Sequence, residues 1–284
     1  MGQRTYYSIR TGKNPLARFD LPSARKLFAA TYRDFDHRDY FQEAFGYECV
    51  DVGFVPGTTG LDIKNYFLLH LRKVNLWPIL DKHEGYTEDD LFDIIEFLFD
   101  RVSKPTDKGE NHFGYDSDIF CGTHHSEFDK AAGRIEFRSA INTWLKDYGE
   151  GYELSDQGEI VIQAESGLES LLEASLPVYD EKNVESRIEA AVQKYRRSRG
   201  SLDDRRDAVR SLADVLEFLK PKLKSTISSA DESDLFHLAN QFGIRHHNEK
   251  QKTKYDQTIW LSWMFYYYLA TIHAALRLLQ RKEK

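Results

Sequence analysis

Cysteine is scarce in this chain of 284 residues, which contains only Cys49 and Cys121. Two cysteines cannot build the disulfide framework of a small secreted protein, and their scarcity fits a reducing compartment. The first residues, MGQRTYYSIRTGKNP, contain no apolar segment like that of a secretory signal, and they do not match a myristoylation motif. We therefore expect a cytoplasmic protein.

Long apolar segments are also lacking, with one exception. The run from Trp260 to Leu276 carries no charged residue, and its length is near the minimum that can cross a bilayer. It contains Tyr266, Tyr267, Tyr268 and His273, whose polar groups would be costly at mid-depth in lipid. We therefore predict a helix that is buried in a protein core, and no membrane association.

Familiar cofactor and nucleophile motifs are missing as well. The sequence contains no phosphate-binding P-loop, dinucleotide fingerprint or Gly-x-Ser-x-Gly turn, and it has no internal repeat of fixed period. We expect no cofactor. The composition, 41% hydrophobic and 13% aromatic, is sufficient for a substantial core and is not that of a disordered chain.

Charge is present in quantity but is unevenly distributed. Residues 183–284 hold 19 Lys and Arg against 13 Asp and Glu, a net charge of +6. Residues 1–182 hold 20 against 33, a net charge of −13, which makes −7 for the whole chain. A basic C-terminal part can attract a polyanion such as RNA through counterion release, although the same asymmetry arises from solvated surfaces or from complementary faces of two parts.

Helical periodicity dominates the sequence, so the predicted fold class is mainly α with a small β element. We expect a mixed, acidic N-terminal domain at 1–180, with a small hairpin near 151–163 and a helix that begins after Thr87. Residues 103–133 are predicted to be irregular and exposed. Residues 181–284 are predicted to form a four-helix bundle, because four amphipathic segments follow one another with short connections. These segments run from about 183 to 199, from Ser201, from Asp231 to Phe242 and from about Asp256 to Arg281.

The turn before the last of these helices carries the sequence Arg245-His246-His247-Asn248. An imidazole can act as general base or acid on a ribose 2′-hydroxyl, and a guanidinium can stabilise the charge that develops on a phosphate. The basic residues Lys250, Lys252 and Lys254 could hold an RNA backbone. The alternative is that the arginine and histidines only cap helix ends and pair with neighbours.

Two stretches carry a resemblance to a known family. From residue 203 onward, DRRDAVRSLADVLEFLK and DLFHLANQFGIRHHNEKQKTKYDQTIWLSWMFYYYLATIHAALRLL resemble the C-terminal helical region of bacterial abortive-infection proteins of the HEPN superfamily. The middle stretch FRSAINTWLKDYGEGYELSDQGEIVI is similar to the segment that precedes this region in AbiJ-like proteins, and the opening YYSIRTGKNP is similar more weakly.

The resemblance implies a role in antiphage defence or stress response, in which a metal-independent endoribonuclease acts on RNA as a dimer. It implies catalytic roles for Arg245 with His246 or His247. Asn240 or Asn248 would orient the reacting groups. The distal histidine of the family motif is replaced, because Glu249, Lys250 and Gln251 occupy its positions.

Two hypotheses therefore stay open for the C-terminal part. One is an RNA-cleaving HEPN bundle. The other is a non-catalytic module for dimerisation, RNA binding or binding of a protein partner such as an antitoxin.

A second group of residues with metal-binding chemistry lies in the N-terminal part. The stretch CGTHHSEF places Cys121, His124 and His125 together, with His112 upstream and His83 further back. Cys-x-x-His is a plausible spacing for zinc ligands, but the sequence shows no matching second pair. A polar loop without metal is therefore the preferred interpretation of this stretch.

Overall fold

The computed structural model describes residues 6–13, 18–115, 120–164, 167–197, 200–223 and 256–283. This part of the chain is mainly helical and has short paired strands, which confirms the predicted fold class at that level. The chain divides into two compact units, Met1–Ile160 and Val161–Lys284. The domain boundary predicted at 180/181 lies within the second unit.

The described part of the first unit contains seven α-helices and one 3₁₀ turn. They are α1 (Tyr7–Arg10), α2 (Leu21–His37), α3 (Gln42–Phe45), α4 (Ile63–Leu71), α5 (Ile79–Lys82), the 3₁₀ turn His83–Gly85, α6 (Glu88–Arg101) and α7 (Lys130–Leu145). Helix α6 begins as the sequence predicts, because Thr87 and Asp90 form a reciprocal capping box. Asp20 caps α2 in a related way, by accepting a hydrogen bond from the backbone N–H of Ser23 at 2.9 Å.

Eight short strands are paired two by two in the described residues. They are β1 (Tyr47–Cys49) with β2 (Gly53–Val55), β3 (Lys104–Pro105) with β6 (Phe128–Asp129), β4 (Glu110–Phe113) with β5 (Phe120–His124), and β7 (Tyr152–Leu154) with β8 (Ile160–Ile162). The sequence-based prediction that 103–133 is irregular is therefore wrong for β3 to β6. These strands are short and polar, so they lack the alternating apolar pattern that identifies a strand.

The core of the first unit is rich in aromatic residues. Tyr32 stacks on Phe41 with ring centroids 5.2 Å apart, and Phe137 of α7 meets Phe35 edge-on at 5.3 Å. Residues of α6, such as Leu98, are completely buried beside them. Helix α7 thus packs against both α2 and α6, and the small β4–β5 hairpin lies outside this core with Phe113, Tyr115 and Phe120 exposed.

The second unit is built on long helices. Its elements are α8 (Glu169–Glu173), a π-helical turn (Glu181–Glu185), α9 (Ser186–Arg196), α10 (Leu202–Leu223) and α11 (Gln257–Glu283). Helix α10 packs against both α9 and α11, and Tyr195 stacks on Phe265 with ring centroids 3.8 Å apart. The predicted helix from 231 to 242 lies outside the described residues, so the four-helix bundle stays a prediction.

The uncharged segment predicted to be buried lies inside α11. Leu261, Phe265 and Ile272 are completely buried, and Tyr268 is 1% exposed. Among the described helices, none has the length and apolarity that a bilayer crossing requires.

Candidate metal centre

Four side chains with metal-binding atoms converge beside the first hairpin of the N-terminal unit. They belong to Cys49, His112, Cys121 and His124, and their ligand atoms all lie within 4.8 Å of one another. Sγ of Cys49 is 3.9 Å from Nδ1 of His112, and Sγ of Cys121 is 3.3 Å from Nε2 of His124. Tetrahedral zinc with its usual bond lengths separates a sulfur and a nitrogen ligand by about 3.6 Å. The two measured distances bracket that value.

The β1–β2 hairpin supplies the first ligand. Cys49 is the last residue of β1 and pairs with Gly53, whose φ of 74° closes the turn through Val50, Asp51 and Val52. Glycine adopts this left-handed backbone without the steric penalty that a side chain would bring. Cys49 is only 8% exposed, so its sulfur faces the protein and not the solvent.

A bulge in the β4–β5 hairpin brings the other three ligands to one side. His112 pairs with Gly122 and Phe113 pairs with Phe120, so Cys121 is an extra residue on β5. In a regular strand, Cys121 would face away from the side of Gly122 and His124, because successive side chains alternate. The bulge redirects one side chain, and Cys121 consequently joins His124 and His112 on the same side.

Gly122 makes this bulge possible. Its φ is 131°, which a residue with a side chain rarely adopts. It also stands opposite His112 without a side chain of its own, and the rings of His112 and His124 stack with centroids 4.8 Å apart.

A carboxylate behind His112 sets the orientation of its ring. Nε2 of His112 lies 3.1 Å from Oδ2 of Asp51, and the other carboxylate oxygen of Asp51 accepts the backbone N–H of Tyr115 at 2.9 Å. When Nε2 carries the hydrogen and donates a hydrogen bond to Asp51, the lone pair of the neutral ring is on Nδ1. Histidines that bind metals are commonly held by a carboxylate in this way.

Cys121 lies against the backbone of β1. Its sulfur is 3.4 Å from the backbone N of Val50 and 3.3 Å from the carbonyl O of Glu48, the residues on either side of Cys49. The N–H of Val50 donates to the sulfur, and the thiol of Cys121 donates to the carbonyl oxygen of Glu48. The two sulfurs are therefore neighbours although 71 residues lie between them in the sequence.

His124 completes the group. Its ring packs against that of Tyr47, with centroids 4.1 Å apart. Burial and the nearby ring of His112 lower the pKa of His124 below its usual value. Both effects favour the neutral imidazole, which is the form that binds a metal.

His125, which the sequence groups with Cys121 and His124, has a different role. Its Nδ1 is 2.6 Å from Oδ1 of Asp107 and its Nε2 is 3.5 Å from Oδ2 of Asp39, so both ring nitrogens face carboxylates. The hydrogen bonds from the backbone N–H of Ser126 and from His125 hold the pKa of Asp107 well below its usual range. His125 thus anchors the end of β5, and it is not one of the four clustered residues.

Sequence reasoning did not connect Cys49 with His112, which it named only as a histidine upstream of Cys121. Their separation of 63 residues is far outside the spacing of a local zinc motif. The sequence contains one signal that could have indicated them. Each cysteine of the chain has a glycine close after it, Gly53 four residues after Cys49 and Gly122 directly after Cys121.

The residues predicted to act on RNA lie outside the described part of the chain. They are Asn240, Arg245, His246, His247, Asn248, Lys250, Lys252 and Lys254. Their roles stay predictions.

Comparisons with protein-family models, curated proteins and solved structures found no match to this chain. Its function is therefore inferred from its own residues.

Proposed function

We propose that the N-terminal unit binds one Zn²⁺ ion through Cys49, His112, Cys121 and His124. The observation that supports this is the convergence of two sulfur and two imidazole donors from three separate strands within 4.8 Å. Such donors are too soft for Mg²⁺ or Ca²⁺, which bind oxygen ligands. A tetrahedral set of two sulfurs and two nitrogens is typical of zinc.

The metal has a structural role in this proposal. Four protein ligands complete the tetrahedral shell, whereas a catalytic zinc keeps one position open for water or substrate. The β4–β5 hairpin also needs a tether, because Phe113 and Phe120 at its outer end are more than half exposed and bury little surface. Zinc would join this hairpin to β1 and supply the stability that a small element without a core lacks.

Metal analysis of the purified full-length chain tests the proposal. We expect one equivalent of zinc per chain, and we expect Co²⁺ substitution to produce the absorption of tetrahedral cobalt with thiolate ligands. Cys49→Ser and His112→Asn should each lose most of the bound metal. His70→Asn is the matched control, because His70 is an exposed histidine outside the cluster.

Retention of a full equivalent of zinc by Cys49→Ser would contradict the ligand assignment. So would a wild-type chain that takes up no zinc when reconstituted under reducing conditions.

A second function is proposed for the C-terminal part, where the net charge of +6 over residues 183–284 favours a polyanionic ligand. This part would act on RNA in antiphage defence or stress response. Arg245 would contact phosphate and His246 or His247 would transfer the proton. The replaced distal histidine favours the alternative role, a non-catalytic module that dimerises or binds RNA or a protein.

The two roles can be separated without a chelator, which would remove zinc. Zinc-loaded wild type and Arg245→Ala are incubated with total RNA in buffer without added Mg²⁺. Arg187→Ala serves as control, since Arg187 is an exposed basic residue on α9. Cleavage by wild type and the control but not by Arg245→Ala supports the endoribonuclease. Equal inactivity of all three, with RNA binding retained, favours the non-catalytic module.

A further inference from the structure

The zinc ligands include every cysteine of the chain, since Cys49 and Cys121 are the only two. From the placement of these sulfurs we infer that the centre is also a site of oxidation by hydroperoxides, in which a Cys49–Cys121 disulfide forms and the zinc is released. This inference rests on the proposed zinc site and adds a reaction to it.

Proximity of the two sulfurs is the first requirement. Both lie within the 4.8 Å that spans the whole cluster, and Cys121 Sγ touches backbone atoms of Glu48 and Val50 on both sides of Cys49. A disulfide requires the sulfurs to approach to about 2.05 Å. Because both side chains already point to the same spot, side-chain rotation and a small shift of the exposed hairpin can close the gap.

Reactivity of one sulfur is the second requirement. Thiolates and not thiols attack peroxides, and a metal-bound cysteine is deprotonated. Cys121 is partly exposed on the outer hairpin, whereas Cys49 is 8% exposed. A small hydroperoxide therefore reaches Cys121 first, and Cys49 is the buried neighbour that completes the reaction.

The reaction balances as a two-electron oxidation of two thiolates. The Cys121 thiolate attacks the outer oxygen of ROOH, the O–O bond breaks, and Cys121 becomes a sulfenic acid while the alkoxide leaves and takes up a proton as ROH. The Cys49 thiolate then attacks the sulfur of the sulfenic acid, the S–O bond breaks, and hydroxide leaves and is protonated to water. The two thiolates lose two electrons, and the peroxide gains them.

Metal release follows from the loss of ligands. The disulfide sulfurs carry no negative charge, so only His112 and His124 would remain from the four donors. Two imidazoles do not satisfy the tetrahedral shell of zinc. The disulfide would then join β1 to β5 in place of the metal, and the centre would change between a metal-linked and a covalently linked form.

Treatment of the zinc-loaded full-length chain with hydrogen peroxide tests the inference. We expect one equivalent of zinc to appear in a chromogenic zinc assay. After trypsin digestion without reduction, mass spectrometry should find the peptide 39–64, which contains Cys49, linked to the peptide 109–130, which contains Cys121. Dithiothreitol should separate these peptides. Added together with zinc to the undigested oxidised chain, it should restore the zinc content.

Single-cysteine variants test the order of the two steps. After metal removal and peroxide treatment, Cys49→Ser should accumulate sulfenic acid at Cys121, which dimedone traps. Cys121→Ser should be labelled much less, because its remaining thiol at Cys49 is buried. Stronger labelling of Cys49 than of Cys121 would overturn this order.

The failures of the two proposals are distinguishable. A chain that takes up no zinc before oxidation refutes the metal site. A chain that holds zinc but gives no linked peptides, or gives only sulfinic acid, refutes the oxidation alone.

Discussion

The two ring nitrogens of His112 face different partners, because Nε2 lies 3.1 Å from Oδ2 of Asp51 and Nδ1 lies 3.9 Å from Sγ of Cys49. The carboxylate thereby selects the tautomer that presents Nδ1 to a metal. Asp51 itself is fixed by the backbone N–H of Tyr115, at the start of the turn that follows β4. The first hairpin thus positions a ligand that belongs to the second.

Removal of this carboxylate should weaken zinc binding without removing a ligand. For Asp51→Ala we expect about a 10- to 100-fold loss of zinc affinity, because His112 loses the group that holds its ring and raises its basicity. Asp51→Asn keeps a hydrogen-bond acceptor and should lose less. Competition titration against a chromogenic chelator measures the zinc affinity of each variant. Asp81→Ala, at an exposed position on α5, is the control. Unchanged affinity in Asp51→Ala would refute the role of Asp51.

Substitution of Gly122 should disturb the bulge that redirects Cys121. Gly122→Ala places a side chain at φ 131°, so we expect a loss of stability of about 1–3 kcal/mol and weaker zinc binding. Gly85→Ala is a suitable control, because nothing lies within 4 Å of an added Cβ there and the backbone has no positive φ. Its effect on stability should be below about 0.5 kcal/mol. Chemical denaturation and metal titration give both quantities, and equal effects of the two variants would contradict this account of the bulge.

Zinc should raise the thermal stability of the folded chain. A ligand that binds only the native state at 100 times its Kd contributes about 2.7 kcal/mol, an upper value here because unfolded cysteines also bind metal. We therefore expect a higher unfolding midpoint with zinc than after its removal, measured under reducing conditions. In Cys49→Ser the midpoint should hardly respond to zinc. A similar response of that variant and wild type would show that the metal acts elsewhere.

Acid should weaken the hydrogen bonds and ion pairs that the carboxylate of Glu136 on α7 accepts. Lys104 at 2.7 Å, Tyr40 at 2.6 Å and Arg38 at 2.8 Å all donate to its carboxylate and lower its pKa from 4.5 to about 2. Because the folded-state pKa is the lower one, this stabilisation is complete above pH 4.5 and is lost as the pH falls toward 2.

Glu136→Gln should therefore lower the free energy of unfolding by about 1 kcal/mol at pH 7 and by less at low pH. The effect at pH 7 is small because solvent screens the charges at this partly exposed site. Denaturation of wild type and variant from pH 7 to 3 measures the difference. Glu127→Gln, at an exposed glutamate nearby, is the control. A difference in stability that stays constant over this range would contradict the assignment.

Local signals made several helices predictable. Thr87 and the acidic residues after it indicated the start of α6, and the apolar stripe of Val209, Leu212 and Leu216 indicated α10, whose stripe is completely or almost completely buried. The uncharged run from Trp260, with its three tyrosines, indicated a core helix, and Tyr266 and Tyr268 of α11 are buried while Trp260 and Trp263 are exposed. Such features depend on residues within one or two helical turns, so they are visible in a single sequence.

The candidate metal centre could not be predicted in the same way. Cys121 and His124 stand three residues apart and were recognised as a possible ligand pair. His125 was grouped with them because it follows His124, but its ring faces Asp107 and Asp39. Cys49 was not recognised as a partner, because only the packing of β1 beside β5 brings its sulfur to the others.

The sequence by itself determined the helical character of the chain, the positions of its best capped and most regular helices and the charge difference between its two parts. Those properties follow from short-range hydrogen bonds, the 3.6-residue period and composition. Tertiary structure alone decided which cysteines and histidines meet, because a bulge at Cys121 and the pairing of distant strands set the directions of their side chains. Ligand geometry is a long-range property, and no local pattern specifies it.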